Sequence, residues 1–287
     1  MSADAVTGAS RRWQKLAIVA GGGALPVRLA EACERQGAPF SVIRLTGYAS
    51  EETTRFGGPE CGIGEVGKMV RLLKAEGCDA LVLAGKVRRP DFASLSPDWR
   101  GAALLPKVLA AARRGDGALL GVLVDTFEAE GFAVIGAEEV SAGLAVSVGR
   151  LGALEPTERD RADMAKAAAV VEALGPFDVG QGAVVRDGFV LAIEAAEGTD
   201  AMLDRCASMP SDGTGRSGVL LKRPKPGQEL RVDLPTIGVE TVRRAAAAGL
   251  AGIAVEAEVA LIVDRDAVLA AADGAGLFVY GYTAEEL

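Results

Sequence analysis

Short apolar runs alternate with segments of helical spacing through the first half of the chain, and this alternation constrains the fold more than any other feature. Residues 15–20, 40–45 and 80–84 are β-rich runs, and residues 104–114 have the composition of a helix. Strands that alternate with helices form parallel sheets with helices packed on both faces. The sequence therefore predicts an α/β fold with an N-terminal doubly wound, Rossmann-like parallel-sheet domain at residues 14–150.

The pattern changes in the second half of the chain. Residues 157–174 form a long, charged, Ala-rich segment, which predicts a helix capped by Thr157. The Asp187-Gly188 pair predicts the turn of a β-hairpin. Because the later strands and helices follow a different order, we predict a linker helix within residues 151–175 and a C-terminal mixed α/β domain at residues 176–287. Ligands often bind at domain interfaces, so we expect a ligand cleft between the two domains.

The chain contains no histidine, and this absence limits its chemistry. It excludes a Ser-His-Asp triad, a Cys-His pair and a His-ligated zinc site. A general base must therefore be Asp, Glu, Lys, Tyr or Cys, and a catalytic metal would be bound by oxygen ligands, which favours Mg²⁺, Mn²⁺ or Ca²⁺. The net charge of −8 argues against a general nucleic-acid-binding protein.

Several features predict a cytoplasmic protein. Residues 1–14 are polar and lack the apolar centre of a secretory signal. The most apolar later stretch, residues 245–263, contains Glu256 and Glu258, which makes it a poor membrane span. None of the four cysteines belongs to a C-x-x-C pair, so free thiols in a reducing compartment are expected.

Two motifs of the N-terminal domain are candidates for phosphate binding. The first, Gly21-Gly22-Gly23-Ala24-Leu25-Pro26, joins a strand to a helix, where backbone N–H groups and the helix dipole favour an anion. It departs from a dinucleotide fingerprint because Pro26 replaces the third glycine. The second, Gly85-Lys86-Val87-Arg88-Arg89-Pro90, follows the third strand at the edge where such sheets bind ligands. A ligand-free turn and a solvated basic surface remain the alternatives.

A third motif, Glu194-Ala195-Ala196-Glu197-Gly198-Thr199-Asp200, lies where a predicted strand ends and a helix begins. Acidic side chains at such a strand end are suited to act as a base or a metal ligand. Simple helix capping by Thr199 or Asp200, with surface charges around it, is the alternative.

A fourth motif spans residues 220–238 and includes a predicted strand at residues 229–234. It places Asp233 among cations that include Lys222. A carboxylate in such surroundings stays ionised, so it is suited to orient water or to hold Mg²⁺, with a structural ion pair as the alternative. Thr236 lies near the predicted start of the next helix, where an anion could bind.

Together these motifs resemble a known family. The resemblance covers residues 15–280 and rests on the runs IVAGGGALP, GKVRRPDF, VDTFEAEGFAV, DVGQGAVV, VLAIEAAEGTDAML and LLKRPKPGQELRVDLPTIG, followed by AGIAVEAE. Their order is that of the UDP-2,3-diacylglucosamine pyrophosphatases of the LpxI type, although relatives often vary the middle glycine of the first turn. The resemblance implies Mg²⁺-stimulated hydrolysis of UDP-2,3-diacylglucosamine to UMP and 2,3-diacylglucosamine 1-phosphate, early in lipid A biosynthesis. It also implies that Asp233, in the DLPTIG motif, is catalytic.

The motifs and the resemblance lead to one set of predicted roles. Asp233 positions Mg²⁺ or the attacking water, and Glu194 or Glu197 assists. The predicted substrate-binding residues are Gly21, Gly22, Gly23, Leu25, Lys86, Arg88, Thr199, Asp200, Lys222 and Thr236. The predicted partner is the UDP-linked lipid, with transient contact at the inner face of the membrane, while a homodimer is left open. The alternative functions are a nucleotide-sugar sensor without turnover and an NAD(P)-linked oxidoreductase.

Overall fold

The computed structural model describes residues 11–88, 95–113, 115–210 and 215–287. The described residues within 1–113 and 119–140 form one compact unit, and those within 114–118 and 141–287 form a second. Within these described segments, no helix is both long and apolar enough to cross a membrane.

The first unit contains a five-stranded sheet in the order β3-β2-β1-β4-β5, with every neighbouring pair parallel. Its strands are β1 (Leu16–Ala20), β2 (Phe40–Leu45), β3 (Glu60–Cys61), β4 (Ala80–Ala84) and β5 (Ala133–Val134). Its helices are α1 (Leu25–Arg35), α2 (Val66–Ala75), α3 (Trp99–Ala112), α4 (Asp116–Ala129) from residue 119 onward, and α5 (Ala137–Val140). All five residues of the central strand β1 are buried, as expected where a parallel strand is covered on both faces. The predicted doubly wound parallel sheet is confirmed.

Helix α3 begins earlier than its predicted start at Leu104. Its cap is Asp98, whose carboxylate Oδ1 accepts a hydrogen bond from the backbone N–H of Gly101 at 2.9 Å. The other carboxylate oxygen, Oδ2, accepts one from the backbone N–H of Lys68 at 2.7 Å. An N-cap aspartate satisfies amide groups that have no partner inside the helix, so the first turn forms around Asp98 although it contains a glycine.

The second unit contains a six-stranded mixed sheet in the order β6-β13-β11-β9-β7-β8 and a small parallel pair, β10-β12. Strands β9, β11 and β13 are mutually parallel, whereas β6, β7 and β8 each run antiparallel to a neighbour. The strands are β6 (Gly149–Arg150), β7 (Gly182–Arg186), β8 (Phe189–Ile193), β9 (Val219–Lys222), β10 (Thr236–Ile237), β11 (Gly252–Glu256), β12 (Leu261–Ile262) and β13 (Phe278–Tyr282). The helices are α6 (Glu158–Leu174), α7 (Gly198–Ala207), α8 (Val239–Ala247) and α9 (Arg265–Ala275). The predicted mixed α/β organisation is confirmed.

Helices cover both faces of this mixed sheet. On one face, Leu220 of β9 packs in a core that includes side chains of α7, α8 and α9. On the other face, its neighbour Leu221 packs in a core with Met164 and Ala168 of α6. Helix α6, predicted as a linker helix, therefore packs against the sheet of the second unit. Successive side chains of a strand point to opposite faces, which places Lys222 on the α7 side and residue 223 on the α6 side.

Candidate functional site

Polar side chains meet where the parallel strands of the second unit end. Strand β9 ends at Lys222, β11 ends at Glu256 and β13 ends at Tyr282. Because these strands are parallel, the three residues lie along one edge of the sheet. The carboxyl ends of parallel strands are the usual ligand-binding edge of such sheets.

Lys222 organises the α7 side of this edge. Its side chain is buried, with 5% of the residue exposed, and its Nζ donates hydrogen bonds to Thr199 Oγ1 at 2.7 Å and to the carbonyl oxygen of Thr236 at 3.4 Å. Nζ also lies 4.0 Å from Glu194 Oε2, and Thr199 Oγ1 donates to Glu194 Oε1 at 2.9 Å. The structure therefore brings four predicted site residues together, and a buried ammonium group needs such partners.

The glycine at position 182 makes room for the Glu194 carboxylate. Gly182 is the strand partner of Lys222, and its carbonyl accepts a hydrogen bond from the backbone N–H of Glu194 at 2.8 Å. A Cβ atom at this position would lie 2.8 Å from Glu194 Oε2, closer than carbon and oxygen normally approach. Sequence reasoning missed this residue, although it lies in the DVGQGAVV run.

One oxygen of Glu194 has a special position. Oε2 is buried and, among the described residues, makes no hydrogen bond. Buried polar atoms without a partner are rare in native proteins. With an ammonium group 4.0 Å away, this oxygen is placed to accept a hydrogen bond from a bound ligand.

Two predicted residues lie outside the Lys222 cluster. Glu197 precedes α7, and its Oε1 accepts a hydrogen bond from Arg205 Nη1 at 2.7 Å. This bond lowers the pKa of Glu197, which weakens that carboxylate as a base. Asp200, in the first turn of α7, has its Oδ1 4.0 Å from Arg244 Nε. The predicted roles of Glu197 and Asp200 stay predictions.

Asp233 lies in a loop, and the predicted strand at residues 229–234 is wrong. The backbone N–H groups of Val232 and Asp233 both donate to the carbonyl oxygen of Glu229 at 3.2 Å, so the segment folds into a turn. The alternating apolar residues imitate a strand, but Leu230 remains 40% exposed and no buried face forms. Gln228 Nε2 donates to the carbonyl oxygen of Asp233 and closes the loop.

The chain fixes Asp233 near the Lys222 cluster. Asp233 is half-buried and lies three residues before Thr236, whose carbonyl oxygen accepts a hydrogen bond from Lys222. Three residues of extended chain span at most about 11 Å. Thr236 lies in β10, and α8 begins only at Val239, so the expected position of Thr236 at the helix start is corrected.

The predicted Mg²⁺ ion requires oxygen ligands from the protein or the substrate. In the part of the chain that the structure describes, no group of three or more Cys, Asp or Glu side chains could hold a metal ion. Mg²⁺ usually keeps several waters and binds through one or two carboxylates together with substrate phosphates. Asp233 supplies one carboxylate of this kind, and magnesium binding at Asp233 stays a prediction.

The two predicted motifs of the first unit also lie side by side. The backbone N–H groups of Gly22 and Lys86 donate to each other's carbonyl oxygens at 2.9 and 2.8 Å. Gly85 has a φ of +93°, and a Cβ there would lie 2.5 Å from the Gly22 carbonyl oxygen, so this close pairing requires glycine.

The pairing of the two turns limits which groups can bind phosphate. The N–H of Gly21 donates to the carbonyl oxygen of Ala84 at 2.8 Å, so the amides of Gly21 and Gly22 are both used inside the protein. The groups suited to an anion are then the amide of Gly23, the amide of Leu25 at the start of α1, and the exposed side chains of Lys86 and Arg88. The rest of the predicted basic motif, Arg89 and Pro90, lies outside the described residues.

Comparisons with known proteins cover almost the whole chain. Two family models match: the LpxI N-terminal domain at residues 15–144 and the LpxI C-terminal domain at residues 147–280. The UDP-2,3-diacylglucosamine pyrophosphatase LpxI of Caulobacter vibrioides is 53% identical over 277 residues, which are 95% of this chain and 99% of the relative. A solved structure of N5-carboxyaminoimidazole synthase from Aspergillus clavatus is 12% identical, with a TM-score of 0.25, and the match covers 64% of this chain and 41% of that one. So low a score supports no conclusion.

Proposed function

The chain belongs to the LpxI family, and from this premise we propose that it hydrolyses the pyrophosphate bond of UDP-2,3-diacylglucosamine to UMP and 2,3-diacylglucosamine 1-phosphate. The observation that carries this function is the 53% identity to an LpxI pyrophosphatase over 95% of the chain. The reaction would be an early step of lipid A biosynthesis. Neither a nucleotide-sugar sensor nor an NAD(P)-linked oxidoreductase finds support in these comparisons.

Lys222 is suited to bind the phosphate on the sugar side of the bond. Its ammonium group is buried beside Thr199, where water screens its charge little. Positive charge that is fixed in place stabilises the negative charge that grows on the departing phosphate. Thr199, Asp200 and Thr236 are proposed to contact the same end of the substrate.

The bond is cleaved when water attacks one phosphorus atom. The bridging P–O bond breaks, its electron pair leaves with the departing phosphate, and the proton of the water must pass to a base. In a chain without histidine a carboxylate is the natural acceptor, and we assign this role to Asp233. Glu194 beside Lys222 is the second carboxylate of the site, and Glu197 at the start of α7 is proposed to assist.

Mg²⁺ is the proposed cofactor. Asp233 would hold it together with phosphate oxygens of the substrate, an arrangement that Mg²⁺ commonly takes in proteins. When bound, the ion would offset phosphate charge and polarise the attacked phosphoryl group.

The nucleotide end is proposed to bind at the paired turns of the first unit. There Gly21, Gly22 and Gly23 shape the turn, while Leu25, Lys86 and Arg88 surround it. Because the substrate carries two acyl chains, the protein is proposed to act in the cytoplasm with transient contact at the inner face of the membrane. A homodimer is left as a proposal that sedimentation can test.

The deciding measurement is release of UMP from UDP-2,3-diacylglucosamine by the purified protein, with Mg²⁺ and with EDTA. We expect turnover with Mg²⁺, little with EDTA, and a loss of about 100-fold or more in Asp233→Ala, as for removal of a general base. Asp266→Ala, an exposed aspartate of α9, is the matched control and should keep full activity. ¹⁸O-water would show which phosphorus is attacked.

The other outcomes separate the alternatives. If the wild-type protein binds the lipid and releases no UMP, the sensor replaces the enzyme. If Asp233→Ala retains turnover within a few-fold of the wild type, the reaction stands but the assignment of Asp233 does not.

A further inference from the structure

The α6 side of the same sheet edge carries a second polar cluster, which the proposed mechanism does not use. It consists of Arg223, Glu256 and Tyr282. Arg223 directly follows Lys222 and points to the opposite face. Glu256 and Tyr282 are strand partners at the ends of β11 and β13, and Tyr282 packs in the core beneath α6.

Arg223 is held by carboxylates from two elements. Its Nε lies 3.1 Å from Glu256 Oε2, and its Nη1 lies 3.5 Å from Glu172 Oε2 of α6. The side chains of Arg223 and Glu256 are only 18% and 15% exposed. The backbone N–H of Arg223 donates to the carbonyl oxygen of Gln181 at 2.9 Å. The guanidinium group is therefore fixed at the edge rather than free in solvent.

Arg223 Nε and Glu256 Oε2 are each other's ion-pair partner, but a third buried polar atom of this cluster makes no hydrogen bond with any described residue. It is Tyr282 Oη, and the tyrosine itself is 0% exposed. Burial, and then the negative charge of Glu256, raise the pKa of Tyr282, so its hydroxyl stays protonated. Each unsatisfied buried group in a native protein needs an explanation, and a bound ligand with polar oxygens is one.

The choice of residues points to an anion. Burying an Arg–Glu pair costs desolvation that the pair itself often fails to recover, and apolar residues of similar size would stabilise the fold as well. The planar guanidinium group presents donors in a fork that matches the oxygens of a phosphate. Lys222 and Arg223 are consecutive residues that reach the edge from opposite faces, as suits a ligand with two linked phosphates.

We propose that Arg223 is a second phosphate-binding residue of this site, which binds the substrate's diphosphate from the side opposite Lys222. Glu256 is a positioning residue that holds the guanidinium group. This inference rests on the proposed function and deepens it. Lys222 alone supplies a point charge, whereas the guanidinium group adds directed donors that fix the orientation of the diphosphate. A fixed orientation is what in-line attack by water requires.

The test combines the kinetics of UDP-2,3-diacylglucosamine hydrolysis with the affinity for inorganic pyrophosphate, measured by calorimetry. Arg223→Lys keeps the charge but loses the fork, and we expect kcat/KM and pyrophosphate affinity to fall about 10- to 100-fold, the range for lost hydrogen bonds to a charged group. Glu256→Gln should raise KM and weaken pyrophosphate binding several-fold, and Glu256→Asp should restore part of the loss. Arg161→Lys is the matched control, since Arg161 forms an Arg–Glu pair with Glu286 at 2.8 Å in the same unit, and it should change neither quantity.

Each result decides a different point. If wild-type protein hydrolyses the lipid and Arg223→Lys matches it in KM and pyrophosphate affinity, this inference fails and the proposed function stands. If wild-type protein releases no UMP but loses pyrophosphate affinity on Arg223→Lys, the proposed function fails and the anion site stands. If Arg223→Lys does not fold, the two Glu256 variants decide: unchanged KM and pyrophosphate affinity in both would overturn the proposal.

Discussion

Lys222 shows how one buried charge can organise a site. Its ammonium group donates hydrogen bonds to a hydroxyl of α7 and a carbonyl oxygen of β10, and it lies beside a carboxylate that follows β8. These groups come from three separate stretches of the chain. Without the ammonium group, Glu194 would remain buried with no counter-charge, and removal of one partner of a buried pair costs about 3–5 kcal/mol.

Lys222→Met should therefore lower both activity and stability. We expect kcat/KM to fall about 100-fold or more, because a fixed cation at the departing phosphate is lost, and the free energy of unfolding to fall by about 3 kcal/mol. Adding Glu194→Gln to Lys222→Met removes the unpaired charge, so stability should recover in part while activity does not. Urea titration and UMP release measure the two effects. Strictly additive losses of stability would show that the two side chains do not interact.

The residues of this site differ in how well the sequence predicts them. Lys222, Thr199 and Glu194 were predicted because charged residues next to strand ends form recognisable motifs. Gly182 was missed because its role is to leave space across a strand pair, and nothing in its own neighbours signals that contact. Glu197 was grouped with Glu194 by sequence distance, but in the structure it pairs with Arg205.

Among the elements, those with a local chemical signal were predicted well. The Asp187-Gly188 turn joins β7 and β8 as expected, with Asp187 at a φ of 55° and Gly188 at 77°. The start of α3 was missed because its cap, Asp98, depends on contacts with the start of α2 as well as with its own helix. The strand predicted at residues 229–234 is wrong, and no strand of the described segments pairs with these residues.

The start of α6 gives a test at the scale of a single helix. Thr157 Oγ1 accepts a hydrogen bond from the backbone N–H of Asp160 at 3.3 Å, and Asp160 Oδ2 accepts one from the backbone N–H of Thr157 at 2.9 Å, which confirms the predicted cap. We expect Thr157→Ala to lower the free energy of unfolding by about 1 kcal/mol. Because the two bonds form one capping box, adding Asp160→Ala should cost less than the sum of the single changes.

The matched control for this cap is Thr126→Ala in the last turn of α4. There the threonine hydroxyl donates to the carbonyl oxygen of Val122 at 2.6 Å, a carbonyl that also serves the helix, so its removal should change stability little. Urea denaturation followed by circular dichroism measures all four variants. Equal losses at Thr157 and Thr126 would mean that the cap contributes nothing beyond an ordinary hydrogen-bonded hydroxyl.

At the scale of the whole molecule, the four cysteines are divided between the two compact units. Cys33, Cys61 and Cys78 lie in the first unit and Cys206 in the second, and all four are buried. Burial raises the pKa of each of the first three thiols to about 11 and also raises the pKa of Cys206. These pKa values lie above that of an exposed thiol, about 8.5. The contribution of thiol burial to the free energy of unfolding is therefore fully present below that pH. It is lost as the pH rises toward 11.

This division makes the thiols reporters of unfolding for each unit. The reactive form is the thiolate, so at pH 8 iodoacetamide should leave all four cysteines of the native protein unmodified. In increasing urea, Cys33, Cys61 and Cys78 should become reactive together, since they lie in one compact unit, while Cys206 should follow the second unit. Mass spectrometry of labelled peptides gives the urea midpoint for each site, and full labelling in guanidinium chloride is the control. If Cys33 became reactive well before Cys61 and Cys78, the first unit would unfold in parts and not cooperatively. A shared urea midpoint for all four cysteines would mean that the two units unfold together.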